Sequence, residues 1–320
     1  MNICNICLKP GTSRAPYYHS KCLKQLFQTD RVDPRISFNR GELFTEVSKK
    51  FPRYSIGGIQ KKGLCKVVRG DLTIVDSKGT HIIKPSPEQY PYTSENEHLT
   101  MTLLRMLGQD VAKSGLVPFK DGELCYITLR YDRIETPIHQ EDMLQVMGIS
   151  NSDSARKYDC ASYEDVLNTV KKVSGLAATI PVFNRILCAY ILGNGDFHLK
   201  NISVEVGSPV KLTPAYDFIN TALYGNNCEI MALKLLSNGE PDIYSRAGKG
   251  LYYGGDFVQL AEKVGIPSGA ARGQIQRILK LAAKLPRTAL GLLPNDLEKK
   301  YIEVLDQRAR FLEVFRYLHI

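Results

Sequence analysis

Gly193-Asn194-Gly195-Asp196-Phe197-His198-Leu199-Lys200-Asn201, followed by Pro214-Ala215-Tyr216-Asp217-Phe218, is the most informative stretch of the chain. It sets an Asp and an Asn five residues apart, and a second Asp sixteen residues beyond the Asn. Phosphoryl transfer to a hydroxyl asks for that order. One carboxylate orients the attacking hydroxyl, while an amide and a second carboxylate hold Mg²⁺ on the ATP phosphates. Each residue alone is commonplace and reads equally well as a turn or helix cap. The ordered set makes Asp196 the candidate catalytic residue, with Asn201 and Asp217 as candidate magnesium ligands.

Upstream, the loop Asp196 sits on follows Pro181–Leu192, a run apolar around most of its circumference and so expected to be a buried helix. Two short strands, Ile202–Val206 and Val210–Thr213, are expected to form a hairpin that brings Asn201 and Asp217 together. Further helices are expected over Tyr163–Val173, around Ile275, Ile278, Leu279 and Leu285, and along Leu297, Tyr301, Val304, Leu305, Leu312 and Phe315. Before Asp132 the pattern is strand-like, with runs at Leu64–Val68, Leu72–Val75, His81–Lys84 and Leu124–Tyr131. The helix Glu95–Leu107 interrupts them. A β-rich part followed by a helical part predicts an α+β, two-lobed, protein-kinase-like architecture. The expected domains are an N-terminal segment (1–50), an N-lobe (51–132) and a helical C-lobe (133–320).

The β-rich part offers the groups a nucleotide needs. Tyr54-Ser55-Ile56-Gly57-Gly58-Ile59-Gln60-Lys61-Lys62 contains adjacent glycines whose backbone can approach phosphate closely, although a Gly-Gly turn alone is also a plain hairpin signal. Lys84 ends a half-buried strand, where an unpaired ammonium would be costly. Glu97 on the following helix is the expected partner, with Glu95 the alternative; a strand lysine paired with a helix glutamate is a kinase arrangement.

Composition sets the outer bounds. The 320 residues are 43% hydrophobic and 23% charged, ordinary for a globular protein. No apolar run is long enough to span a bilayer, and Met1-Asn2-Ile3-Cys4 lacks the pattern of a signal peptide. A cytoplasmic protein without a membrane partner is the expectation. The net charge of +9 is unevenly placed: residues 1–130 hold 20 Lys and Arg against 12 Asp and Glu, the remainder 22 against 21. A basic half can attract acidic or phosphate-rich partners, or be a solvated surface.

Of eight cysteines, Cys65, Cys125, Cys160, Cys188 and Cys228 sit in apolar contexts and are expected as buried, reduced thiols. The others form Cys4-x₂-Cys7-x₁₁-His19-x₂-Cys22. Two pairs of soft ligands at this spacing can close a structural tetrahedral Zn²⁺ site; the alternative is reduced surface thiols beside an incidental histidine. Zinc knuckles can also bind nucleic acid. A zinc-stapled nucleic-acid-binding module on a degenerate kinase body is therefore an alternative function. A small-molecule kinase of the same fold is another.

With these residues read, the chain resembles the HipA-type toxin kinases of bacterial toxin–antitoxin systems, most of all the short HipT form of the three-protein HipBST arrangement. Ser55 to Lys62 looks like the family's phosphate loop. Ile83-Lys84-Pro85-Ser86-Pro87 with Glu95-Asn96-Glu97-His98 resembles its ATP lysine and following helix. Leu129-Arg130-Tyr131-Asp132-Arg133 resembles its hinge against the adenine, and His139-Gln140-Glu141-Asp142 is similar to another of its motifs. Asp196-x-His198-x-Lys200-Asn201 and Ala215-Tyr216-Asp217 match its catalytic and metal loops. The resemblance implies Asp196 as catalytic base or orienter. It implies Mg²⁺ on Asn201 and Asp217, and ATP bound by Gly57, Gly58, Ile59, Gln60, Lys61, Lys62, Lys84, Glu97, Leu129, Arg130, Tyr131, His198 and Tyr216. It further implies autophosphorylation of Ser55, which ejects the loop, and an aminoacyl-tRNA synthetase as protein substrate. Implied partners are a small HipS-like antitoxin and a helix-turn-helix HipB-like protein, with nucleic acid reached only through that partner. The chain departs from the pattern in two ways. It is too short for the extra N-terminal subdomain of full-length members, and it has Gly57 where some carry a second serine. The Cys/His cluster is not a general feature of the family.

Overall fold

A computed structural model describes residues 3–11, 17–43, 45, 62–134, 136–151, 155–207, 211–225, 230–239 and 251–315. The chain divides into two units: Met1–Thr102 with Ala112–Pro137, and Leu103–Val111 with Ile138–Ile320.

The first unit is built on an antiparallel sheet of β1 (Gly63–Val68), β2 (Asp71–Val75), β3 (His81–Pro85), β4 (Ser114–Pro118) and β5 (Leu124–Leu129). Its spatial order is β2-β1-β3-β5-β4. β1 and β2 are joined by Arg69-Gly70, both at positive φ (53° and 93°), the backbone that a two-residue hairpin turn demands. Residues alternate across the pleat. Ile83 and its neighbours Cys65, Ile74 and Ile127 enter a core shared with Cys4, Ile6, Leu26, Phe27 and Ile36. Residues 3–43 thus pack into the same core as the sheet, through the helix α1 (Ser20–Phe27); the 50/51 boundary itself lies outside the described residues. His81 Nε2 stands 2.9 Å from the Leu26 carbonyl, tying β3 to the end of α1. Lys84 is one step off the Ile83 face and meets α2 (Thr93–Met106).

The second unit contains α3 (Met143–Val146), α4 (Arg156–Asp159), α5 (Tyr163–Ser174), α6 (Thr179–Ile191), α7 (Gly254–Val264), α8 (Ser268–Ala282) and α9 (Asn295–Leu312). It also holds a sheet ordered β6 (Gln140–Asp142), β7 (Ser203–Glu205), β8 (Lys211–Leu212). α5 starts on a capping box: Ser162 Oγ accepts from Asp165 N while the Asp165 carboxylate accepts from Ser162 N at 2.9 Å. It stops at Gly175, φ 82°. Its Tyr163, Val166, Leu167 and Val170 form the buried stripe of an amphipathic helix. α6 has no polar face from Val182 to Ile191, every residue being buried. Its one cation in that run, Arg185, donates through Nη1 to the Thr213 carbonyl at 2.9 Å. At the far end, the buried Arg308 of α9 donates to the carbonyls of Tyr190 (2.8 Å) and Ile230 (3.0 Å).

The expected strands and helices appear with small shifts at their ends. Leu124–Tyr131 stops at Leu129 because the chain turns into a short 3₁₀ segment, Tyr131–Arg133. One expectation fails: Cys160 is exposed, not buried, because it caps α4, a four-residue surface turn. Cys65, Cys125 and Cys188 are buried as expected, and Cys228 lies outside the described residues.

Candidate active site

The catalytic-loop candidates come together in the second unit. α6 ends at Ile191, and Gly193 turns the chain at φ 74°. A Cβ there would lie 2.5 Å from Asn220 Oδ1, so glycine is required for both its φ and its contact. The backbone of Gly193 accepts from Thr221 N at 3.0 Å, and Thr221 Oγ1 accepts from Gly195 N at 2.9 Å. Buried Asn194 then forms an Asx turn, its Oδ1 accepting from Asp196 N at 2.9 Å. Asp196 is thereby held by its own backbone while its side chain stays 40% exposed.

Asn201 closes the short 3₁₀ turn Leu199–Asn201. Its Nδ2 donates to the Asp196 carbonyl at 2.7 Å. That bond fixes the amide so that Oδ1, the atom that could take a metal ion, points the other way. Asp217 follows β8 and sits at φ 54°, the left-handed region that Asp tolerates better than most residues and that recurs at functional sites. Two anchors hold its segment: Ala215 N donates to the Asp110 carbonyl at 2.9 Å, and Tyr216 Oη donates to the Lys200 carbonyl at 3.0 Å. Tyr216 Oη also lies 2.5 Å from Ser203 Oγ, so it bridges to both sides of the Asn201 turn. His198 is buried; its Nε2 lies 3.7 Å from Asp196 Oδ1, and its Nδ1 has no hydrogen-bond partner among the described residues. Burial lowers its pKa, against the opposing pull of the Asp196 and Asp217 charges, so the ring is neutral at physiological pH.

The His139-Gln140-Glu141-Asp142 motif belongs to this scaffold. β6 pairs with β7 so that Asp142 stands opposite Ser203, two residues past Asn201, and Asp142 caps α3 by accepting from Gln145 N at 3.0 Å.

In the first unit, Lys84 Nζ lies 2.7 Å from Glu97 Oε1, with side-chain exposures of 7% and 3%. Glu95 is placed differently: its Oε2 has no hydrogen-bond partner among the described residues, and burial pushes its carboxyl up to about 7. Leu129 is buried as the last residue of β5, opposite His81. Arg130 leaves the strand with its guanidinium forked on the Asp132 carboxylate at 3.0 and 3.3 Å. Tyr131 begins the 3₁₀ turn, and Lys62 is exposed just before β1. Ser55, Gly57, Gly58, Ile59, Gln60 and Lys61 lie outside the described residues.

Two features escaped the sequence reading. Tyr158 of α4 donates its hydroxyl to Asp196 Oδ1 at 2.5 Å and meets the His198 ring edge-on at 4.8 Å. Burial, then the bond to Asp196, raises its pKa well above the usual tyrosine value. Nothing local announces it, since Arg156-Lys157-Tyr158-Asp159 reads as a polar surface turn. The second had a readable signal, a Phe directly after each candidate acid, in Asp196-Phe197 and Asp217-Phe218. Phe197 and Phe218 are fully buried with ring centroids 4.9 Å apart. Tyr163 completes the group, its hydroxyl donating to the Phe197 carbonyl at 2.8 Å. Each candidate acid is thus one peptide bond from half of a shared aromatic wedge.

Apart from these, the ligand atoms of Cys4, Cys7, His19 and Cys22 all lie within 4.8 Å of one another.

Comparison with known proteins supplies the lineage. The pattern of the family described as HipA-like C-terminal domain matches residues 54–285, well over half of the chain. The chain belongs to that family. A Haemophilus influenzae relative bearing a provisional kinase name is 34% identical over 287 residues, covering 83% of this chain and 84% of its own. The serine/threonine-protein kinase toxin HipA of Shewanella oneidensis is 25% identical over 269 residues; these span 76% of this chain but 59% of the toxin. Among solved structures, HipA in the Shewanella oneidensis complex of HipA, HipB and operator DNA superposes with a TM-score of 0.65 at 20% identity. That match covers 87% of this chain and 72% of the other. The α+β, kinase-like fold is shared with HipA. No helix among the described residues is long and apolar enough to cross a membrane.

Proposed function

We propose that this HipA-like chain is a Mg·ATP-dependent serine/threonine protein kinase and the toxin of a bacterial toxin–antitoxin system. The observation that carries the reading is the bond from Asn201 Nδ2 to the Asp196 carbonyl. It couples the two loop residues and leaves an amide oxygen free for a hard cation, which a merely structural asparagine has no need to do.

The donor set fits the group it would hold. Mg²⁺ takes oxygen ligands, and Asn201 Oδ1 with the Asp217 carboxylate supplies an amide and an anionic oxygen. Bound there with ATP, it neutralises charge on the phosphates. Lys84, kept oriented by Glu97, is the group that pairs with phosphate oxygens. Gly57, Gly58, Ile59, Gln60, Lys61 and Lys62 cradle those phosphates, and Leu129, Arg130 and Tyr131 flank the adenine. His198 and Tyr216 hold the loops around the nucleotide site. Asp196 accepts the hydrogen bond of the protein substrate's hydroxyl and takes its proton. The new phosphorus–oxygen bond forms as the bond to ADP breaks. Neutral His198 adds no cation to compete for the Asp196 carboxylate.

The finer reading follows the short HipT-like form. The substrate is an aminoacyl-tRNA synthetase, Ser55 is autophosphorylated, and the partners are a small HipS-like antitoxin and a helix-turn-helix HipB-like protein. The HipA–HipB–DNA complex supports partnership of that kind for a family member. The test is a radiolabelled-ATP assay and a growth assay on the parent and the folded Asp196→Asn variant, followed by phosphoproteomics of cells expressing each. Label on Ser55 and on one synthetase, lost in the variant together with toxicity, is the expected result. Equal toxicity of the two forms overturns the proposal.

A further inference from the structure

The Cys4, Cys7, His19 and Cys22 cluster precedes the 54–285 span of the family pattern, and the kinase reading makes no use of it. Its residues come from two segments, a tight turn after Ile3 and the start of α1. Cys7 Sγ stands 3.3 Å and Cys22 Sγ 3.7 Å from His19 Nδ1. Ligands around a tetrahedral Zn²⁺, with bonds of about 2.0–2.3 Å, stand about 3.5–3.8 Å apart. The Cys22 spacing falls within that range and the Cys7 spacing just below it, and no pair exceeds 4.8 Å.

The histidine decides between a metal site and thiols packed by chance. His19 Nε2 lies 3.0 Å from the Pro10 carbonyl. A carbonyl only accepts, so Nε2 carries the proton and Nδ1 is left with a bare lone pair directed at the sulfurs. A zinc-bound histidine is oriented in this way, by a carbonyl on its other nitrogen. Cys4 and Cys22 belong to the apolar core of the first unit, while Cys7 and His19, at its edge, are only half-buried.

The surroundings say what a metal would do. β4 is an edge of the five-stranded sheet. Asn5, between the two knuckle cysteines, accepts from Leu116 N at 2.8 Å, and Tyr18 Oη donates to the Leu116 carbonyl at 2.7 Å. Gly115 makes room for this, since a Cβ there would lie 2.8 Å from the Ile6 side chain. The segment therefore covers an edge that would otherwise offer unpaired backbone groups.

We propose that Cys4, Cys7 and Cys22, through Sγ, and His19, through Nδ1, bind one Zn²⁺ in a closed structural site that pins the N-terminal segment over β4. The three thiols give up their protons on binding, and no ligand position remains for chemistry. The claim is independent of the kinase reading.

The test uses the full chain, purified without added metal and measured by elemental analysis and by alkylation mass spectrometry. One zinc per chain is expected, with Cys4, Cys7 and Cys22 protected while exposed Cys160 reacts freely as an internal control. Replacement by Co²⁺ should give the absorption of a tetrahedral thiolate site. His19→Gln, which keeps a polar side chain but not the imidazole ligand, should lose zinc at least tenfold more readily to a chelator. His19→Cys should retain it. If His19→Gln does not fold, chelator treatment of the parent chain provides the comparison, and alkylation of the three thiols should then rise to the rate of Cys160. A parent chain without zinc, a disulfide among the three cysteines, or equal zinc retention by both His19 variants overturns the proposal.

Discussion

Lys84 and Asp196 are the charged centres of their two units, and they live in opposite surroundings. Lys84 and Glu97 form a pair almost sealed from water, with side chains 7% and 3% exposed. Asp196 is 40% exposed and is held through its backbone by Asn194, Asn201 and Thr221-bound Gly195. A buried pair is part of the fold whatever its chemistry, because either member alone would leave an uncompensated charge. A carboxylate steadied through its main chain can be altered without disturbing anything beneath it. Function and stability should therefore separate in the second unit and stay entangled in the first.

The sharpest break is Asp196→Asn. It should lower phosphoryl transfer by roughly 10²–10⁴-fold, the usual worth of a positioned acid–base group, with thermal stability unchanged. A large loss of melting temperature would show that the loop is not backbone-held. Lys84→Met should abolish ATP binding and also destabilise the chain by about 3–5 kcal/mol, by stranding the Glu97 carboxylate. Pairing it with Glu97→Leu should recover most of that stability in urea unfolding and none of the activity. Recovery of activity would remove Lys84 from the nucleotide site.

Glu95 gives a pH-dependent probe of the same dry region. Burial pushes its carboxyl up to about 7. Below the ordinary carboxylate value both folded and unfolded forms carry the proton, and nothing is lost. As pH rises from about 4.5 toward 7 the unfolded chain releases its proton first, so stability falls, and the cost levels off above that. Glu95→Gln should therefore be the more stable protein at pH 8, by roughly 1–3 kcal/mol. The advantage should vanish below pH 4, as read from unfolding midpoints.

The smallest effect belongs to Tyr158. Its hydroxyl occupies Oδ1 of Asp196, the carboxylate proposed to receive a substrate hydroxyl. Tyr158→Phe removes a competing bond of about 1 kcal/mol. KM for a protein substrate should drop about 3–5-fold with kcat little changed. A fall in kcat instead would make Tyr158 a positioning residue for the carboxylate.

What could be read in advance follows from how local each signal is. The β1–β2 hairpin, α5 and α6 announce themselves through short-range periodicity and turns. The Asp196, Asn201, Asp217 order is legible because its geometry is written within a single hairpin. β4 hid behind Gly115 and Pro118, which look like breakers. The glycine is there for Ile6, more than a hundred residues earlier in the chain. α7 opens on Gly254-Gly255, where a Cβ on Gly254 would strike the Leu312 carbonyl at 2.2 Å, so a tertiary contact overrides poor helix propensity. Tyr158 could not be found at all, since 38 residues separate it from the carboxylate to which it donates.

The ring pair Phe197–Phe218 gives the two acidic loops a common fate. Prying either loop outward opens a void under the other, and a void that size among fully buried rings is expensive. The two candidate carboxylates, Asp196 and Asp217, should therefore appear and vanish together, so that the proposed activity switches off in a single step. An antagonist acting on this chain has only to loosen one of the two phenyl rings to silence both acids.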